Sequence, residues 1–220
     1  NLIITFTRNP ELGKVKTRLA KTIGNTSALA IYKKLLEHTE SVLRNLDCDK
    51  AVYYSVKIRD NDIWDNSIYQ KHQQIGEDLG VRMQKAFENG FNNGYQNIII
   101  VGSDLYDLKP NHITDAFNAL TNNDVVIGPA EDGGYVLIGF SVAADSVFNN
   151  IEWGTNQVLE LTRMRLREAK LSWHELATQR DIDRPEDLPY LQRAYPVSFQ
   201  SLFDSIGVSL SLPQSDQEPG

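Results

Sequence analysis

Apolar, β-branched residues gather in five short runs along the chain: LIITFT at 2–7, AVYYSV at 51–56, NIIIVGS at 97–103, DVVIGP at 124–129 and YVLIGF at 135–140. Each is bounded by Gly, Asn, Asp or Pro, and each predicts a strand. Between the first two, Leu29, Tyr32, Leu35, Leu36, Thr39, Val42, Leu43 and Leu46 recur at three- and four-residue steps. That spacing predicts an amphipathic helix, opened by a capping signal at Asn25 and Thr26. Leu79, Met83, Ala86, Phe87 and Phe91 make a second such face, Ile113, Phe117 and Leu120 a third, and Val158, Leu159, Leu161 and Leu166 a fourth.

Strands alternating with helices of this length predict an α/β domain, a mainly parallel sheet with helices on both faces. Runs such as IIIV, apolar at every position, fit strands buried on both sides. From 195 onward the chain is rich in Ser, Gln and Pro. There Phe199, Leu202, Phe203 and Ile206 are spaced for one short helix, docked on the domain or on a second copy. The final LPQSDQEPG is expected to be floppy.

With 220 residues, 41% hydrophobic and 23% charged, the chain has the material for one globular domain with a sizeable core. No apolar stretch approaches the roughly 18–20 residues of a membrane span, and LIITF is too short for a signal-peptide core. A cytoplasmic protein is expected, with no membrane partner; the first residue is Asn1, so what precedes it stays open. Cys48 is the single cysteine, which excludes an intrachain disulfide and a multi-thiolate metal site. His38, His72, His112 and His174 lack the spacing of zinc ligands, leaving a hard cation on carboxylates as the metal chemistry available. A net charge of −7 argues against a protein that coats nucleic acid.

Against that acidic background, GKVKTRLAK at 13–21 collects Lys14, Lys16, Arg18 and Lys21 directly behind the first strand. In an open α/β sheet, ligands sit beyond the carboxyl ends of the strands, so the cluster lies at the expected binding edge. Gly13 shapes a loop and a helix begins behind it, with Lys14, Lys16 and Arg18 at its first turn. Cations there oppose the helix dipole, and a bound phosphate chain would reverse that penalty. A solvated helix face is the other reading. Gly13-Lys14 is followed by Val15, so the segment is no Walker loop, and the triple glycine of a dinucleotide fingerprint is missing.

RNPELGKVKTRLAKTIG, GEDLGVRMQKAF, GSDLYDL, GPAEDGGYVLIGF, EWGTNQVLELT and DIDRPEDL occur in an order that resembles the DUF2064 family of GT-A-type transferases. That family looks related to molybdenum-cofactor and phospholactate guanylyltransferases. The resemblance runs from about Leu2 to Leu188. It implies a single Rossmann-like, GT-A-type transferase domain at 1–194, followed by a partly disordered extension at 195–220.

It also implies roles. Asp104, after the buried strand IIIVGS, and Asp183, in DIDRPEDL, are the candidate ligands of Mg²⁺ or Mn²⁺. From residue type alone, Asp104 could equally cap a helix or close an Asx-turn, and Glu186 and Asp187 suit a helix start behind Pro185. Gly13, Lys14, Lys16 and Arg18 would bind the phosphates of a nucleotide. Gly133, Gly134, Trp153, Gly154 and Thr155 would line the acceptor, although Asp132-Gly133 is also a strong hairpin signal and Thr155 a helix cap. Lys16 and Asp132 are the candidate catalytic residues. The family usually has Pro at the position of Tyr106, which questions the shape of the Asp104 loop.

The expected function is a Mg²⁺-dependent transferase moving a glycosyl or nucleotidyl group from an NTP or nucleotide sugar to a small-molecule acceptor, with a homodimer as a candidate assembly. The alternative is a non-catalytic nucleotide or sugar-phosphate binding protein on the same fold.

Overall fold

The structure is a computed structural model that describes residues 1–206. The expected floppy tail, LPQSDQEPG, lies outside them. The chain runs β1 (Leu2–Thr7), α1 (Thr17–Leu43), β2 (Asp49–Tyr54), β3 (Tyr69–Gln73), α2 (Leu79–Asn92), β4 (Ile98–Gly102) and α3 (Pro110–Ala119). It continues through β5 (Val125–Pro129), β6 (Tyr135–Phe140), α4 (Val158–Ala169), β7 (Trp173–Glu175), α5 (Leu188–Ala194) and α6 (Pro196–Ile206). Among the described residues, one sheet holds all seven strands in the order β3-β2-β1-β4-β6-β5-β7. Only β6 runs antiparallel to its neighbours.

Both faces of the sheet are covered, and the strand period of two assigns residues to each. Ile98 and Ile100 of β4 point with Leu2 and Ile4 toward Met83 and Phe87 of α2 and Leu166 of α4. Ile99 and Val101 point the other way, with Ile3, toward Leu43 of α1 and Ile113 of α3. The unbroken apolar runs are therefore the central strands.

Two differences from the sequence expectation concern edges. β3 (YQKHQ) and β7 (WHE) were not expected as strands; they close the two ends of the sheet, where polar side chains face water. β2 begins at Asp49 and ends at Tyr54, so Ser55 and Val56 leave the sheet for the ligand edge. The two helix starts expected near 17 and 25 belong to one helix interrupted at Gly24, where φ is 80° and ψ 159°. Within α6, Phe199, Leu202 and Phe203 pack against Leu19, Ile31 and Leu35 of α1 and Leu191 of α5.

Since β6 enters where β5 leaves, the loops after β1, β2, β3, β4, β5 and β7 and the start of β6 all meet along one edge. Arg8, Val56, Gln74, Asp104, Asp132 and Asp181 follow those strands in turn.

Candidate functional site

Beneath this edge, the Tyr32 hydroxyl of α1 ties two strand ends together. It accepts from the Arg8 backbone N–H at 2.9 Å, donates to the Arg8 carbonyl at 3.1 Å, and lies 3.2 Å from both Thr7 Oγ1 and Ser103 Oγ. Burial, then the Asp104 charge, pushes the Tyr32 phenol above its ordinary pKa, so it stays protonated. The result is a fixed spacing between the loop after β1 and Asp104 after β4.

The basic loop is anchored by Val15, buried against Tyr32 and Trp64, and closes onto α1 through Lys16. Lys16 has φ 47° and ψ 45°, the left-handed region, which costs an L-residue about 1–2 kcal/mol. That conformation turns its side chain inward, to 3% exposure, with Nζ 2.7 Å from Asp104 Oδ2 and 3.7 Å from Asp183 Oδ1. Burial works to lower the Lys16 pKa, but the Asp104 charge and hydrogen bond, helped by Asp183 and Asp181, outweigh it and hold the ammonium above its usual value. Arg18, on the first turn of α1, pairs with Asp183 Oδ2 at 3.0 Å. Lys14 is exposed and makes no ion pair among the described residues. Arg8, Lys16, Thr17, Arg18, Asp104 and Asp183 border a polar hollow of about 270 Å³.

The DIDRPEDL segment reaches this hollow because the Ile182 N–H donates to the Asp104 carbonyl at 3.2 Å and Ile182 itself is fully buried. Asp187 accepts from the backbone N–H groups of Asp183 and Arg184, reaching back from the third residue of the turn to the Arg184 cap position. Asp183 is thereby left to face Lys16 and Arg18. Asp181, quoted in the motif but given no role from sequence, lies between the two ends of the site. Burial first, then the Asp132 charge, pushes its carboxyl up to about 6.

Asp132 and the two following glycines join β5 to β6. Asp132 Oδ1 accepts from the Gly134 N–H at 2.9 Å, closing an Asx-turn and leaving Oδ2 exposed. Gly133 has φ 88°, and a side chain there would meet the Asn156 carbonyl oxygen at 2.2 Å. Its missing Cβ thus admits the 153–156 loop, and the Gly133 carbonyl accepts from Leu159 N–H at the head of α4. Trp153 packs its indole on Gly80, where a Cβ would stand 2.7 Å from Cζ2. Thr155 Oγ1 donates to the Glu152 carbonyl at 2.8 Å, a local turn bond. Gly154 stands open, with nothing within 4 Å of where a Cβ would stand. The two candidate acceptor loops therefore form one wall, held by each other and by α2.

Over the ends of β1, β2, β3 and β4 and the start of β6 opens a cavity of about 590 Å³, within the range of small-ligand sites, and none of Asp132, Gly133, Gly134, Trp153, Gly154 and Thr155 lines it. Its floor is apolar, from Phe6, Met83, Ile100 and Ile138, and its polar lining includes Arg8, Gln74, Arg82, Asp104 and Asp181. Tyr106 turns into an aromatic cluster instead, 4.5 Å from the rings of His38 and Tyr195 and 4.7 Å from Phe199. Next to it, Asp107 accepts from the hydroxyls of Tyr190 and Tyr195, so α5 and α6 clasp the loop that carries Asp104. Of the supporting residues, Tyr32 was visible in sequence only as part of an apolar stripe, and Arg8 and Arg82 carried no signal beyond their motifs.

Among the described residues, no three or more His, Cys, Asp and Glu side chains gather closely enough to hold a metal, and no helix is long and apolar enough to cross a membrane.

Residues 38–155 match the family described as an uncharacterized protein conserved in bacteria (DUF2064). Among solved structures, a "putative nucleotide-diphospho-sugar transferase" from Desulfovibrio desulfuricans G20 superposes with a TM-score of 0.82 and 32% identity, covering 93% of this chain and 95% of its own. The 4-diphosphocytidyl-2C-methyl-D-erythritol synthase of Anaerococcus prevotii DSM 20548 gives a TM-score of 0.56 at 10% identity, over 89% of this chain and 95% of its own. Rv0371c of Mycobacterium tuberculosis H37Rv, in complex with manganese, gives 0.50 at 11%, over 88% and 98%. The last two share the fold alone. No curated protein matches the chain. With more than half its length matched by the family and a relative sharing nearly a third of its residues end to end, the chain belongs to the DUF2064 family and has the nucleotide-diphospho-sugar transferase fold.

Proposed function

We propose that the protein is a divalent-metal-dependent transferase that takes an activated nucleotide and moves a glycosyl or nucleotidyl group to a small acceptor. The observation that carries this reading is the meeting of Lys16 and Arg18 with Asp104 and Asp183 at the carboxyl edge of the sheet. The fold shared with nucleotide-diphospho-sugar transferases supports it. Two oxygen-donor side chains that converge on a single ammonium nitrogen suit a hard cation such as Mg²⁺ or Mn²⁺, with phosphate and water completing the shell. The manganese complex of Rv0371c, on the same fold, supports that choice. Asp104 and Asp183 would hold the ion, whose contribution is to neutralise phosphate charge.

The chain's own residues supply the rest. Lys16 and Arg18, relieved of their carboxylates, turn to phosphate oxygens, so the same cations are compensated with and without ligand. The left-handed Lys16 backbone directs the side chain into the hollow, which suits catalysis by positioning and charge stabilisation. Asp132, with Oδ1 committed to its turn, has Oδ2 to orient an acceptor hydroxyl and take its hydrogen. The binding-protein alternative would be favoured by a Tyr106 that disturbs the Asp104 loop. Its packing against His38, Tyr195 and Phe199 gives that reading no support.

A thermal-shift panel of NTPs and nucleotide sugars, with and without Mg²⁺, tests the proposal. A ligand bound only by the folded state at a hundred times its Kd adds about 2.7 kcal/mol of stability. The expected result is a metal-dependent shift for one nucleotide class; no shift with any of them would overturn the reading.

A further inference from the structure

The two candidate metal carboxylates belong to different parts of the chain. Asp104 is carried by the loop after β4, and Asp183 by the segment that runs through Pro185–Asp187 into α5. Lys16 bridges them, its Nζ 2.7 Å from Asp104 and 3.7 Å from Asp183. Under the proposed function that ammonium turns to phosphate when a cation arrives, so another tie must keep the carboxylates at their spacing. The backbone bond from the Ile182 N–H to the Asp104 carbonyl is one. A single main-chain bond fixes a point of contact and leaves the two segments free to pivot about it.

Asp107 supplies the tie that stops the pivot. Its Oδ2 accepts from the Tyr190 hydroxyl and its Oδ1 from the Tyr195 hydroxyl. Tyr190 lies in the first turn of α5 and Tyr195 at the junction with α6, so one carboxylate holds the helix at both ends and fixes its direction as well as its place. Burial, then the Asp107 hydrogen bond, raises both phenols, Tyr190 to about 12, so both remain donors. The Tyr190 ring also carries the Arg180 guanidinium, 5.0 Å from its centroid, and Arg180 Nε donates to Glu131 Oε2 at 2.7 Å. Beyond the junction, α6 packs Phe199, Leu202 and Phe203 on α1 beside Leu19, the residue after Arg18. The segments that carry Lys16 and Arg18, Asp104, and Asp183 are thereby joined through α5 and α6. Asp107, Tyr190 and Tyr195 line neither the 590 Å³ cavity nor the 270 Å³ hollow, so they act on the site only through these joints.

We infer that Asp107 is a positioning residue: clasped by Tyr190 and Tyr195, it sets the spacing of Asp104 and Asp183 and thereby the choice of cation. Mg²⁺ demands near-ideal octahedral geometry, whereas Ca²⁺ accepts irregular shells, so a loosened clasp costs Mg²⁺ more than Ca²⁺. The inference rests on the metal reading above and adds what enforces it.

The test follows Mn²⁺ binding by electron paramagnetic resonance, with Mg²⁺ and Ca²⁺ titrated as competitors. It compares the parent with Asp107→Ala, Asp107→Asn and the double variant Tyr190→Phe/Tyr195→Phe, which keeps both rings. Asp107→Ala and the double variant are expected to weaken Mg²⁺ about tenfold or more, as losing groups that orient metal ligands does, with Ca²⁺ within about threefold. Asp107→Asn, which retains one oxygen acceptor, is expected to fall between, a partial rescue that general damage to α5 would not give. A second readout needs no metal. With chelator present, Lys16→Met is expected to lower the melting temperature about half as much or less in the Asp107→Ala background as in the parent, because a loosened Asp104 no longer meets the ammonium. The inference is overturned if Mg²⁺ and Ca²⁺ weaken equally, if neither changes, or if the Lys16→Met loss is the same in both backgrounds. A parent that binds none of these ions removes the metal reading instead, and the melting comparison then decides the positioning role.

Discussion

Lys16 and Asp104, 88 residues apart in the chain, meet with Nζ 2.7 Å from Oδ2, and Lys16 reaches that point only by adopting a left-handed backbone. Two properties of one residue can therefore be separated. Lys16→Met is expected to lose the ion pair and keep the strain, lowering stability by about 1–2 kcal/mol once the partial exposure of Asp104 is allowed for. Lys16→Gly loses the same pair but relieves the strain, so it should unfold at a higher temperature than Lys16→Met. Both should lose nucleotide binding. Thermal unfolding with a nucleotide titration reads both effects, and equal melting temperatures would show that the backbone at Lys16 stores nothing.

The parts of this arrangement that were legible in sequence share a cause. The five unbroken apolar runs are central strands because burial on both faces leaves no polar position, whereas YQKHQ and WHE, at the sheet edges, carry no such pattern. Lys16, Arg18 and Asp104 were singled out because each stands just beyond a strand at the ligand edge, and Asp183 because its motif resembles the family's; the fold brings the four together. Their mutual neutralisation was invisible, since it depends on a side-chain direction set by φ at Lys16. Arg82 was hidden inside a helical pattern. Gly133 looked like room for a substrate, and its space is taken by the Asn156 carbonyl, a contact between segments that no local signal records.

Asp181 gives a pH prediction. Its carboxyl is raised to about 6 in the folded chain, against an ordinary carboxylate value when unfolded. The folded state therefore binds the proton more tightly, and the cost of the charged form is present above about pH 6 and disappears as pH falls through 6 toward 4. Asp181→Asn, which carries no charge at any pH, is expected to be more stable than the parent by about 1–2 kcal/mol at pH 7.5. That gap should close near pH 4. Melting curves from pH 4 to 8 with chelator present, so that no cation masks the carboxylates, check it; a gap constant across the range would contradict the shift.

Gly133 and Gly154 provide a paired comparison in the acceptor wall. Both have positive φ, 88° and 82°, but a Cβ at Gly133 would strike the Asn156 backbone while one at Gly154 would meet nothing within 4 Å. Gly154→Ala should cost about 1–2 kcal/mol, the left-handed penalty alone. Gly133→Ala should cost more, about 3 kcal/mol or above, because two backbone segments must separate. Urea unfolding measures both, and equal costs would show that the two loops yield freely.

Asp132 is the residue whose structural and chemical duties can be divided most cleanly. Its Oδ1 accepts from the Gly134 N–H and shapes the turn, a duty that the Asn side-chain oxygen performs equally well. Asp132→Asn should therefore leave melting temperature and nucleotide binding close to those of the parent. What Asn removes is the negative charge and the second carboxylate oxygen, the exposed Oδ2. If Oδ2 orients the acceptor hydroxyl and takes its hydrogen, turnover should fall by about 10²-fold or more, with the nucleotide Kd unchanged. The removal of one carboxylate charge near Asp181 should also let the Asp181 carboxyl return toward its ordinary value, since Asp132 is the largest charge raising it. Steady-state turnover with an identified acceptor, compared with the binding isotherm, separates these effects; unchanged turnover would confine Asp132 to the turn.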